Sequence, residues 1–179
     1  NVLQSEVWNN PVMSKIPANE QPTGVCALPL YHIFAFTVGM MLSMRMGGKL
    51  ILIPNPRDIP AVLKELSKHT IHSFPAVNTL FNGLANYPDF KTVDWSHLKV
   101  SVGGGTAVQS AVAKLWLEKT GCPICEGYGL SETSPSATCN PVDATAYSGN
   151  IGLPMPNTEL RLLDDDGAEV PPGTPGEIA

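Results

Sequence analysis

The sequence predicts an α/β protein: a doubly wound, mainly parallel sheet with flanking helices, followed by a β-rich C-terminal segment that belongs to a second sheet. Two observations carry this. Apolar runs of strand length alternate with stretches of helical period as far as Cys125, the rhythm that crossovers between parallel strands require. After Thr133 the texture turns to Pro, Gly, Ser, Thr and Asn, and the helical period disappears.

Taken in order, residues 25–30 read as a strand, 34–46 as a helix buried on most sides, and 49–53 as a second strand ended by Pro54 and Pro56. Ile59, Val62, Leu63 and Leu66 share one face of a helix, with Asp58 as its N-cap and Pro60 in its first turn. Residues 71–74 form the third strand. Val77, Leu80, Phe81 and Leu84 make the next amphipathic helix, which ends at the turn Tyr87, Pro88, Asp89. Residues 98–102 are a strand running into Gly103, Gly104 and Gly105; a helix follows over 107–119 with Gly121 as its stop, and 123–125 is the fifth strand. Residues 158–163 alternate enough for a strand, Asp166 and Gly167 signal a hairpin, and 176–179 begin another strand. This divides the chain into an α/β unit over 1–135 and a loop with the start of a β unit over 136–179.

The chain has 179 residues, with 11 Lys and Arg against 16 Asp and Glu; a net charge of −5 offers no basic surface for nucleic acid. Charged residues make up 15%, below the roughly 25% of ordinary domains, which points to surface meant to be covered. The longest apolar stretch, 33–44, falls short of the roughly 18 residues of a membrane span. With no initiator Met, a helix under way at Asn1 and a strand under way at Ala179, the chain reads as a piece of something longer. Of the cysteines Cys26, Cys122, Cys125 and Cys139, only the middle pair has C-x-x-C spacing, and the histidines are scattered. Small buried hydrophobes in a reducing, intracellular compartment are therefore expected rather than a zinc or redox centre.

Ligands of a doubly wound sheet bind at the carboxyl ends of its strands, and three such exits carry chemistry. The first is Pro29, Leu30, Tyr31, His32, where His32 is either a site residue or a satisfied core histidine. In the second, Gly103, Gly104 and Gly105 let a backbone approach a flat or anionic ligand at a helix N-terminus, or simply make a tight turn. The third runs from Glu126 to Pro135 and is the most informative. It gathers an aromatic ring, two glycines, three hydroxyls and two carboxylates. Such a set suits a nucleotide: the ring stacks on a base, glycines expose backbone donors, hydroxyls meet phosphate oxygens, and Glu holds Mg²⁺.

The segment Gly127, Tyr128, Gly129, Leu130, Ser131, Glu132, Thr133 resembles the Y-G-x-T-E motif of the adenylate-forming superfamily, with Ser131 in place of the usual Thr. The superfamily includes acyl-CoA synthetases, luciferases and peptide-synthetase adenylation domains. Leu28 to His32 is similar to its L-P-x-aromatic-H segment. Ser101 to Gly105 is similar to its S-G-G-A-P turn, Thr106 and Ala107 departing from Ala-Pro. Gly149 to Pro156 matches its G-x-x-G-x-P segment, with Asn157 where Gly is common. The wording from Cys125 to Thr133 looks most like bacterial long-chain fatty-acyl-CoA ligases within that group.

The resemblance implies a two-step reaction on long-chain fatty acid, ATP and coenzyme A: acyl-adenylate and pyrophosphate form first, then the thiol displaces AMP. It assigns Tyr128 to stacking on adenine, Ser131 to phosphate, Glu132 to Mg²⁺, and His32 to the carboxylate and adenylate. Gly103, Gly104, Gly105, Glu126, Gly127 and Gly129 would line the nucleotide, with His32, Phe36, Gly104 and Gly129 toward the acyl group and Phe36 as a gate. It further implies that the phosphate loop and the C-terminal domain lie outside this chain, so that the piece alone is catalytically silent and self-associates. The expected location is cytoplasmic, with peripheral contact of the full enzyme to the inner membrane left open. Two alternatives also stay open: another adenylate-forming enzyme, such as an aryl-CoA ligase or a luciferase, and a non-catalytic binding module of the same fold.

Overall fold

A computed structural model describes residues 1–179. After helix α1 (Val2–Met13), five strands alternate with helical crossovers. These are β1 (Thr23–Cys26), β2 (Lys49–Leu52), β3 (Ser73–Ala76), β4 (Val100–Gly103) and β5 (Ile124–Gly129). Helices α2 (Leu42–Arg45), α3 (Ile59–Leu66), α4 (Asn78–Ala85) and α5 (Ser110–Thr120) connect them. The strands lie in the order β2-β1-β3-β4-β5, all parallel, and β6 (Ser136–Cys139) and β7 (Leu153–Pro154) continue the same sheet antiparallel. A separate two-stranded sheet pairs β8 (Leu162–Leu163) with β9 (Glu177–Ile178). No helix is long and apolar enough to cross a membrane.

Local chemistry sets the elements. Asp58 caps α3, its carboxylate accepting from Ala61 N–H at 3.1 Å, while Pro60 occupies the first turn, where its missing N–H costs nothing. Gly121 stops α5 at φ +71°, a left-handed geometry that suits glycine. Helices α3, α4 and α5 share one large core with the sheet, whose centre is an aromatic cluster of Phe74, Phe81, Phe90, Trp95 and Trp116. Trp116 is fully buried, and its indole N–H donates to Ser101 Oγ at 3.0 Å. Helices α1 and α2 pack together, tied at the surface by Arg45 and Glu6 at 2.9 Å.

The structure departs from the sequence reading in several places. Residues 34–46 are a π-helical stretch, Ala35–Met41, followed by α2, and only Ala35, Thr37, Gly39 and Leu42 are buried. Phe36 is 41% exposed. An unbroken apolar run gives no periodic signal for which face is covered. The strand at 123–125 extends to Gly129, because β6 pairs with its second half, Gly127 opposite Cys139 and Tyr128 opposite Thr138. Pairing of β6 with β7 then carries the main sheet through residue 154, so no break in the sheet falls after residue 135. The strand expected over 158–163 shrinks to two residues. Its turn is as expected: Asp164 Oδ1 accepts from Asp166 and Ala168 N–H, and Gly167 adopts φ +79°.

Candidate functional site

A cavity of about 200 Å³ opens at the carboxyl ends of β1, β4 and β5, where a doubly wound sheet is expected to hold its ligand. One side is formed by Gly103, Gly104 and Gly105; another by Gly127, Tyr128, Gly129 and Ser131. His32, Ile33, Phe34 and Val38 close it from the segment after β1, and Ser5, Trp8 and Asn9 from α1. All three strand exits singled out in the sequence thus converge on one space.

One glycine is demanded by close approach, and a second is confined by it. A Cβ at Gly129 would lie 1.8 Å from Pro135 O, because the 130–135 loop folds back so that Leu130 N–H donates to that carbonyl at 3.0 Å. A Cβ at Gly104 would come 3.1 Å from the Phe34 ring, so the aromatic wall rests against bare backbone. Thr133 spends its hydroxyl inside the loop, accepting from Leu130 N–H at 2.9 Å, so it is not available to a ligand. Ser131 and Glu132 sit exposed at the tip of the loop, on a 3₁₀ turn, with Ser131 on the cavity wall.

His32 is exposed rather than a core histidine. Its Nδ1 accepts from Phe34 N–H at 3.2 Å, which in the neutral ring leaves the proton on Nε2, a donor for an anionic ligand. Two expected site residues stand elsewhere. Phe36, 41% exposed, is not among the residues that line the cavity, whereas Phe34 is. Glu126 is buried and turned under the glycine loop, its Oε1 accepting from Val108 N–H at 2.7 Å, so its side chain is not on the cavity wall. The hydrogen bond to Val108 N–H, rather than strand alternation, accounts for this, since Glu126 and Tyr128 are two residues apart on β5.

Ser5, Trp8 and Asn9 were missed by sequence reasoning, because the covered face of α1 carries Ser5, Asn9 and Val12 and shows no apolar stripe. Their signal was the buried polar pair itself: Asn9 Nδ2 donates to Ser5 O at 2.8 Å.

The four cysteines are free and buried, as expected of small hydrophobes. Burial, aided by the neighbouring Cys139, pushes the Cys125 thiol up to about 12, and burial takes Cys139 to about 11. Neither is a nucleophile near neutral pH. The histidines are less scattered than they look in sequence: Glu20, His72 and His97 place ligand atoms within 4.8 Å of one another at the amino ends of the strands. His72, only 1% exposed, accepts Thr23 N–H on Nδ1 at 3.1 Å and faces Glu20 with Nε2 at 3.1 Å. With Nδ1 accepting and Nε2 donating, the ring has no lone pair left for a metal; Glu20 and His72 form a hydrogen-bonded clip to Thr23 on β1, with His97 Nδ1 3.5 Å from Glu20.

A doubly wound domain with a glycine-walled, aromatic-floored cavity at its strand ends defines a nucleotide-binding class. The chain belongs to the AMP-binding enzyme family, whose model matches residues 1–179. It is 52% identical over 154 residues to a long-chain-fatty-acid–CoA ligase of Escherichia coli O6:H1, and 54% identical over 154 residues to the Yersinia pestis ligase of the same name. These alignments cover 86% of this chain and 28% and 27% of those proteins, so the chain spans little more than a quarter of their length. Among solved structures, an anthranilate–CoA ligase in complex with anthranoyl-AMP superposes with a TM-score of 0.85 at 25% identity, over 99% of this chain and 34% of that one.

Proposed function

We propose that this chain is the adenylate-holding part of an ATP-dependent long-chain fatty-acid–CoA ligase. The observation that carries the reading is the mixed lining of the cavity. Gly103 to Gly105, Tyr128, Ser131 and His32 offer backbone, aromatic and polar groups, and Ile33, Phe34, Val38 and Met155 offer apolar surface. An acyl-adenylate combines the same two kinds of surface. The 50%-level similarity to ligases named for long-chain fatty acids supports the substrate class.

In this reading a fatty carboxylate oxygen bonds to the α-phosphorus of ATP and pyrophosphate leaves. The thiol of coenzyme A then bonds to the acyl carbon and AMP leaves. Tyr128 stacks on the adenine, and Gly104 and Gly105 let backbone approach it. Ser131 donates to a phosphate oxygen, while His32 Nε2–H orients the carboxylate. Phe34, against Gly104, replaces Phe36 as the aromatic contact at the start of the acyl chain. Mg²⁺ commonly keeps one or two protein carboxylates plus substrate phosphates, and Glu132, exposed on the loop tip and in no ion pair, fits that role. The ion would neutralise charge on the phosphate oxygens.

The test is ATP–pyrophosphate exchange by the full-length protein with fatty acids of graded length, and with benzoate and anthranilate as comparators. Long-chain acids should support exchange and aryl acids should not. Glu132→Gln should lower the rate by about 10² or more without unfolding the protein, since charge on the phosphates loses a partner. Exchange driven equally by aryl acids removes the substrate class, and an unaltered Glu132→Gln rate removes the metal assignment.

A further inference from the structure

The glycine loop leaves β4 at Gly103 and has few ties of its own. Gly104 N–H reaches Ala76 O at 3.3 Å, and Gly105 turns the chain at φ +77°. The loop is next fastened at Val108, and there both main-chain groups are taken. Glu126 Oε1 accepts from Val108 N–H at 2.7 Å, and the Tyr147 hydroxyl donates to Val108 O at 2.5 Å. Beside it, Gln109 N–H donates to Asn78 Oδ1 at 2.9 Å.

The two fastening groups are themselves joined. Glu126 lies on β5 opposite Gly103, immediately before the cavity-wall residues Gly127 and Tyr128. Its carbonyl accepts from Asn140 N–H at 2.9 Å. Asn140 then holds the segment that delivers Tyr147, donating to Asn150 O at 2.6 Å and accepting from Ser148 Oγ at 2.8 Å. Tyr147 returns to Val108 next to the Glu126 carboxylate, and its ionisation is pushed up by burial and then by that carboxylate, so it stays a donor at neutral pH. The circuit runs from β5 to the 140–150 segment, back to the loop, and to β5 again.

We propose that Glu126 and Tyr147 are positioning residues that clamp Val108 and thereby hold the Gly103–Gly105 wall at a fixed distance from Tyr128, so that a bound adenylate meets both walls at once. This rests on the reading of the cavity as an adenylate site. Neither residue touches the ligand; both act through Val108. A glycine-rich wall needs such an external support, because glycine itself does nothing to restrict its backbone.

The experiment uses the full-length protein with Glu126→Ala, Glu126→Gln and Tyr147→Phe. Hydrogen exchange at the Val108 amide, read without ligand, should accelerate about tenfold or more in Glu126→Ala and stay slow in Glu126→Gln, which keeps the acceptor oxygen. Binding of a non-hydrolysable palmitoyl-sulfamoyl adenosine should weaken about tenfold in Glu126→Ala and Tyr147→Phe, the worth of one lost hydrogen bond, and recover in Glu126→Gln. Because it is read on folded protein below each variant's melting transition, a loss of binding without matching loss of fold separates positioning from mere stability. Unchanged Val108 exchange in Glu126→Ala overturns the clamp. Parent-like binding by both weakened variants overturns its role toward the ligand. A full-length parent protein that itself fails to bind the analogue overturns the adenylate reading, and the ligand half of the proposal with it, while the exchange result still decides the clamp.

Discussion

The two glycines of the G-x-x-G-x-P segment should respond very differently to the same substitution. Both are left-handed, Gly149 at φ +74° and Gly152 at φ +89°, so Ala at either position costs about 1–2 kcal/mol in backbone strain. At Gly149 that is nearly the whole cost, since a new Cβ would meet only a Tyr147 ring carbon at 3.6 Å. At Gly152 the Cβ would lie 2.1 Å from Cys139 C and 2.2 Å from Asn140 N, backbone atoms at the end of β6 that cannot turn aside. The crossing segment must lift, and with it go Thr138 Oγ1 to Ile151 O at 2.6 Å, Asn140 Nδ2 to Asn150 O at 2.6 Å and Met155 N–H to Ala137 O at 2.9 Å. Three net hydrogen bonds at about 0.5–1.5 kcal/mol each bring Gly152→Ala to roughly 3–6 kcal/mol. Urea unfolding followed by fluorescence reads this. With a slope near 3 kcal/mol per molar, the midpoint should fall by about 1–2 M for Gly152→Ala and about 0.5 M for Gly149→Ala. Because Met155 lines the cavity, ligand affinity should fall with the first and not with the second. Equal midpoint shifts would refute the argument that backbone contact, rather than φ, makes Gly152 indispensable.

Other outcomes follow from the same geometry. Trp116→Ala, at the fully buried centre of the aromatic cluster, should cost about 3–5 kcal/mol and lower Tm by roughly 10 °C in calorimetry. Phe36→Ala, starting 41% exposed, should cost only about 1–2 kcal/mol and leave the acyl-length profile of the full-length enzyme unchanged, whereas Phe34→Ala should reshape it; the reverse pattern in pyrophosphate exchange would restore Phe36 as the gate. Cys125 and Cys139 ionise at about 12 and 11 in the fold against an ordinary 9.0, so above pH 9 the unfolded chain holds fewer protons than the native one. Stability is therefore full below pH 9 and declines as pH rises through 11, by up to about 1.4 kcal/mol per pH unit for each thiol. A Cys125→Ala, Cys139→Ala double variant with an equally steep decline in urea midpoint would remove this cause.

What could be read without coordinates was whatever short-range chemistry dictates. The alternation of strands and helices, the Asp58 cap, the Gly121 stop and the Asp166-Gly167 turn each depend on a few neighbouring residues, and each appears where those residues stand. The convergence of His32, the glycine run and the Tyr128 loop also followed, because parallel strands bring all their carboxyl ends to one edge.

Only tertiary structure decided the rest. Glu126 and Tyr128 are adjacent-but-one in a stretch that reads as a single polar loop, yet pairing with β6 makes it a strand, and a hydrogen bond from Val108 N–H commits the Glu126 carboxylate to the protein. Phe34 and Phe36 differ only in which face of an all-apolar run is covered. Phe90 and Trp95 enter the core from a segment without periodicity, and Ser5 and Asn9 form a buried helix face with polar side chains. His72, His97 and Glu20 meet only because strand order places their ends together. In every such case the deciding contact joins residues far apart in the chain, and local propensity carries no information about a partner that folding has yet to bring near.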